Sequence, residues 1–219
     1  MKTFCVALLL AIAGTPLGAQ QDVSARLAGR VPPEIAALVH QLAMGAAARG
    51  LPIDPLIQKA VEGSAKGVPA DRVASALRAL TAQLDVAAAA IQQAGPTRPD
   101  TEAIAAGAFA LNAGISAQQV TALALVSRPP YSTAATLRVA STLAAMGVPA
   151  EQTVDLVTQI IASGGPATDV LGLPGQVMAG VSQGQGRGVT PAQAAAGLAR
   201  AAAARANAPG QNKPKPQRP

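Results

Sequence analysis

Five times this chain repeats one short phrase: glycine, an aliphatic residue, then Pro, Ser or Thr. The instances are Gly50-Leu51-Pro52, Gly67-Val68-Pro69, Gly114-Ile115-Ser116, Gly147-Val148-Pro149 and Gly188-Val189-Thr190. Each position has a physical reason to follow the one before it. Glycine takes the left-handed conformation just past a helix end, where other residues clash with their own backbone. The aliphatic residue folds back on the last turn of that helix. Pro, or a capping Ser or Thr, starts the next helix. Two instances carry a full capping box, Ser116 with Gln119 and Thr190 with Gln193. A chain punctuated in this way has little choice but to fold as helices joined by short turns, which makes antiparallel helical hairpins.

Between the turns the apolar residues recur at helical spacing. Val73, Leu77, Leu80, Leu84, Ala88 and Ile91 form one stripe, and Ile35, Leu38, Val39 and Leu42 form another. Val154, Val157, Ile160 and Ile161 form a third. No segment alternates with period two over a useful length, so no strands are expected. The pattern predicts helices near 33–49, 54–66, 70–93, 100–113, 117–127, 133–146, 150–163, 174–184 and 191–206. Alanine is about a quarter of the chain, with no Trp, one Tyr and two Phe, so the core must be built from small and aliphatic side chains. The turns do not recur at one period, as a regular repeat protein would require. The expected fold is therefore all-α, an irregular array of antiparallel helical hairpins, either solenoid-like or a compact bundle.

Residues 1–19 predict destination. Lys2 precedes the apolar run Phe4 to Ala13, Gly14-Thr15-Pro16 interrupts it, and small residues lead to a cut after Ala19. This is the layout of a secretory signal peptide, and the run is shorter than the roughly 20 residues that span a bilayer. Cleavage removes Cys5, the chain's one cysteine, so no disulfide is expected in the mature protein. Mean hydropathy is +0.31, yet no later stretch is apolar for 18 residues, and no transmembrane segment is expected after cleavage. The domain organisation reads as signal peptide 1–19, N-terminal linker 20–32, helical domain 33–206 and a basic, Pro-rich, disordered tail 207–219. The expected location is extracytoplasmic, periplasmic or secreted.

Charge divides the chain unevenly. All eleven acidic residues lie at or before Asp169. After it come Arg187, Arg200, Arg205, Lys213, Lys215 and Arg218 with no acid among them. These six are the candidate contacts to an anionic envelope component. The tail has no aromatic residue on which a base could stack, and export removes nucleic acid as a partner, so none is expected.

Residues able to do chemistry are few. His40 is the only histidine, which with no mature cysteine is too little for a typical zinc site; it reads as a partly buried, hydrogen-bonded side chain. Asp100, Glu102, Asp71 and Glu151 fall at helix starts, where negative charge is favoured. The glycine-rich loop around Arg187 precedes a helix but follows no strand, so it reads as a connector rather than a phosphate cradle. Arg128 and Tyr131, in the turn Arg128-Pro129-Pro130-Tyr131, are the candidate protein contacts; the plainer reading is a turn whose tyrosine lies on neighbouring helices. Lys59, Glu62 and Lys66 share one helix face and read as a solvated surface. No enzyme activity, cofactor or metal is expected.

The segment Pro55 to Val73 (PLIQKAVEGSAKGVPADRV) resembles alanine-rich exported bacterial proteins with Gly-Val-Pro helix turns. The resemblance spans Leu51 to Leu84 and implies an extracytoplasmic helical protein, with no catalytic residue to carry over. The functional expectation is a non-enzymatic structural or protein-interaction module of the cell envelope. The partner is an unidentified protein or an anionic envelope component. The alternative is a periplasmic binding protein for a hydrophobic or anionic small molecule, marked by an enclosed pocket of about 300 Å³ or more.

Overall fold

Helix ends decide the path of the chain. In the computed structural model, which describes residues 23–184 and 188–206, Gly67 has φ +65° and Gly147 has φ +92°. Around each glycine the backbone closes as a Schellman motif. Gly67 N–H donates to the Ser64 carbonyl and Val68 N–H to that of Gly63, both at 3.0 Å. Gly147 N–H donates to Ala144 O at 3.0 Å and Val148 N–H to Leu143 O at 3.1 Å. The last carbonyls of the helix are satisfied, and the chain reverses in four residues. The phrases at Gly50 and Gly114 close in the same way on their 6→1 bonds, from Leu51 to Ala46 O and from Ile115 to Ala110 O.

The result is all-α. Helices α1 (Pro33–Ala48), α2 (Asp54–Ala65), α3 (Ala70–Gln93), α4 (Thr101–Asn112) and α5 (Ala117–Val126) are followed by α6 (Thr133–Ala145), α7 (Ala150–Ala162), α8 (Ala167–Leu171), α9 (Leu173–Gln183) and α10 (Pro191–Ala206). No strand occurs among the described residues. Each helix packs on its neighbour in sequence. The strongest non-consecutive pairings are α4 with α6, α7 with α10, α3 with α5 and α1 with α3. Every extensive contact joins helices no more than three apart in the chain. The array of hairpins is thus solenoid-like in its contacts, although its helices differ in length.

Helix α3 is the spine, about 36 Å long for its 24 residues. It touches α1, α2, α4 and α5. Its buried stripe is Val73, Leu77, Leu80, Leu84, Ala87, Ala90 and Ile91. The predicted Ala88 is only half-buried; the stripe rotates onto Ala87 and Ala90 to meet α4 and α5. There α4 comes close because residue 107 has no side chain. A Cβ on Gly107 would lie 3.0 Å from the Ala87 Cβ. Thr121 of α5 adds a polar tie, its hydroxyl donating to the Ala90 carbonyl at 2.9 Å. Glu102 in the first turn of α4 pairs with Arg138 of α6 at 2.7 Å, and Arg49 at the end of α1 pairs with Asp85 of α3 at 2.9 Å.

Several details depart from the sequence reading. Residues 23–27, placed in the linker, form a helical turn that buries Val23 and Leu27 in the core, with Arg26 paired to Asp54. Pro52 does not open α2, which begins at Asp54 with Pro55 in its first turn. Pro69 and Pro149 stand at the N-cap, and the helices after them begin at residues 70 and 150 as the pattern places them. Helix α8 was not predicted; its five residues are too short to show a period. Val68 does not fold back, remaining 38% exposed, whereas Leu51, Ile115 and Val148 are buried as expected. Both capping boxes are formed: Ser116 N–H donates to Gln119 Oε1 at 2.9 Å, and Thr190 N–H to Gln193 Oε1 at 2.9 Å. The tail 207–219 and residues 1–19 lie outside the described residues.

A Cβ added at Gly67 or Gly147 would meet nothing within 4 Å, so the cost of a side chain there is purely conformational. Gly67→Val and Gly147→Val are each expected to lose about 1–2 kcal/mol through the left-handed penalty, read as a lower Tm in thermal melts. Unchanged melting would mean that these glycines do not set the turns.

Candidate functional site

Of the predicted contact residues, Arg128, Tyr131, Arg200 and Arg205 lie among the described residues. Arg200 and Arg205 lie exposed on α10, five residues apart, and so point to different sides of the helix. Arg200 Nε donates to the Ala196 carbonyl of its own helix at 3.2 Å. Arg187, Lys213, Lys215 and Arg218 lie outside the described residues. Arg128 is exposed in the α5–α6 turn, where the Pro129–Pro130 peptide is cis.

Tyr131 has a structural task. Its ring is half-buried against the core, and its hydroxyl donates to the Gly165 carbonyl. That bond reaches 34 residues along the chain and ties the turn before α6 to the turn before α8. His40 is half-buried, as expected, but its ring makes no hydrogen bond among the described residues. It lines an open groove of about 590 Å³ with Ser24, Leu27 and Val31. Among the described residues, no three His, Cys, Asp or Glu side chains are grouped so as to hold a metal ion.

A second concave surface lies between α2, α3 and the end of α4. The helix face of Lys59, Glu62 and Lys66, which reads from sequence as simply solvated, forms one wall of it. Two adjoining hollows, of about 350 and 270 Å³, share Lys59, Glu62 and Ala76 and so form one groove open to solvent. One end, at the α2–α3 turn, carries Lys66, Val68 and Arg72. The other carries Gln58, Gln83, Asn112 and Phe109. Phe109 is the only phenylalanine after residue 4 and is 46% exposed on a helix otherwise rich in buried alanine. Its isolation in the sequence was a usable signal; its neighbours, supplied by two other helices, were not visible there. Leu80 and Val73 form a buried apolar floor.

Charge in the groove is organised around Glu62. Lys66 donates a hydrogen bond to its carboxylate, and the charges of Lys66 and Lys59 add to the effect, holding the carboxyl below its ordinary range. A carboxyl whose pKa is depressed on folding contributes stability above its unfolded pKa and loses it as pH falls through the folded value. The contribution is small because both partners face solvent. Lys66→Met is expected to return the Glu62 pKa toward 4.5, followed by the side-chain carboxyl signal in an NMR pH titration. An unmoved titration would mean that Lys66 does not govern this carboxylate.

Tyr131→Phe removes one hydroxyl and leaves the Gly165 carbonyl to find another partner. The expected loss is about 0.5–1.5 kcal/mol by chemical denaturation. A variant as stable as the parent would show that the tie is not needed.

A scan against protein-family models, a search of curated proteins and a search of solved structures return no match for this chain.

Proposed function

We propose that this chain is an exported, non-enzymatic structural or protein-interaction module of the bacterial cell envelope. The observation that supports it is the α2–α3–α4 groove. It is an open furrow on a scaffold of closely packed helices, and it places an exposed aromatic ring beside charged and amide side chains. Exposed aromatic and basic groups in such a setting are the usual anchors of protein contacts. The grooves found are open to solvent rather than enclosed, which favours a partner surface over a small molecule held between helices. Among the described residues no helix is long and apolar enough to cross a membrane, which is compatible with this reading.

In this proposal the charge-rich end has a separate task. Arg187, Arg200, Arg205, Lys213, Lys215 and Arg218 act together as an electrostatic tether to an anionic envelope surface. Each charge near such a surface contributes about 1 kcal/mol, and salt screens it over roughly 8–10 Å.

Expression of the full chain in a bacterium, followed by fractionation and intact mass, tests the export step. The expected product lacks residues 1–19 and is recovered outside the cytoplasm; a cytosolic protein beginning at Met1 overturns the reading. For the tether, deletion of Pro209 to Pro219 is expected to leave the Tm unchanged. It should weaken binding to anionic vesicles at about 50 mM salt or below, where charge contacts are strongest. Equal binding by both forms would assign the charge to solubility alone.

A further inference from the structure

We infer that the α2–α3–α4 groove binds an extended peptide segment of about five residues, acidic at one end and carrying a large apolar side chain at the other. This rests on the proposed role as an interaction module and names the partner's chemistry.

Charge comes first. The groove is lined by three cations, Lys59, Lys66 and Arg72, and one acid, Glu62. Lys66 already answers Glu62, with Lys59 close enough to act on the same carboxylate, and Arg72 has no ion pair among the described residues. The turn end of the groove therefore holds an excess of positive charge beside the apolar surface of Val68, Val73 and Ala76. An anionic side chain is the complement. The chain's own tail at 207–219 carries lysines and arginine without acids, and is repelled by this surface.

Hydrogen-bonding capacity separates a peptide from other anions. At the far end the side-chain amides of Gln58, Gln83 and Asn112 make no hydrogen bond within the described protein. Each amide offers both donors and an acceptor, which suits successive peptide units. An acyl chain has no use for them, and a polyphosphate uses only the donors. Phe109 and Leu80 beside them accept an apolar side chain. Length agrees as well. The 12 residues of α2 run about 18 Å, and an extended chain advances about 3.3 Å per residue, so about five residues fill the furrow.

The test uses the mature full-length protein as bait for a random hexapeptide library displayed on phage. The expected selection carries Asp or Glu near one end and Leu, Ile, Phe or Trp near the other. The most enriched peptide, labelled with fluorescein, is then titrated by anisotropy against the parent, Lys59→Glu/Arg72→Glu and Phe109→Ala. All three substituted side chains are exposed, and circular dichroism checks that the variants stay folded. Each variant is expected to bind about tenfold more weakly, and parental binding is expected to weaken as salt rises. Selected peptides with no acidic preference overturn the inference, as does unchanged binding by the charge-reversed variant. Dodecanoate displacing the peptide at equal or lower concentration assigns the groove to a lipid and overturns it too. If the exported protein still crosslinks to an envelope protein while its groove binds no selected peptide, this inference fails and the broader role stands. If export itself fails, the broader role falls whatever the groove binds.

Discussion

A helix that ends inside a folded protein leaves its last carbonyls without partners, and this chain answers that problem with a left-handed glycine and two reversed hydrogen bonds. Because the closure takes only four or five residues, the next helix starts beside the last one. Hairpins follow, and with them an array whose extensive contacts never join helices more than three apart. The long α3 then serves as the spine on which the first half is assembled, while α6 and α7 carry the second half. Removing the left-handed geometry at one turn would not merely strain a loop. It would change the direction in which the following hairpin leaves.

The second constraint is side-chain size. Alanine and glycine at the helix contacts let backbones approach closely, as Gly107 does against Ala87. A fully buried leucine such as Leu77, Leu84 or Leu143 then fills the space that remains, each contributing about 1.5–3 kcal/mol by burial. Interiors of this kind leave little internal volume. In one furrow at the surface, between α2, α3 and α4, an aromatic ring, three amides and three cations come together.

Much of this architecture was legible from local rules. The turn phrase, the capping boxes and the 3.6-residue stripes place nine of the helices to within about a residue at each end, because each signal is read within a few positions of where it acts. What stayed hidden depends on distant parts of the chain. Helix α8 is too short to show a period. Val23 and Leu27 look like isolated apolar residues in a polar segment until the core they enter is known. That Tyr131 lies on neighbouring helices is the plainer reading of its turn, but its partner, the Gly165 carbonyl, is 34 residues away and could not be named. The groove was equally invisible: Lys59 and Glu62 look solvated on their own helix, and only the packing of α2 against α3, with Phe109 arriving from α4, turns that face into a wall.

The single tyrosine has an optical consequence. With no tryptophan anywhere in the chain, all intrinsic near-ultraviolet emission of the folded protein beyond the weak phenylalanine signal comes from Tyr131. Its phenol sits at the joint between the turns that precede α6 and α8, so its emission is a probe of one locus. Far-ultraviolet ellipticity, by contrast, averages over every helix. In an array held together by near-neighbour contacts the two signals need not move together. A denaturation curve followed by fluorescence reports the opening of the C-terminal half, and any lag between it and the loss of ellipticity measures how far cooperativity spreads along the stack.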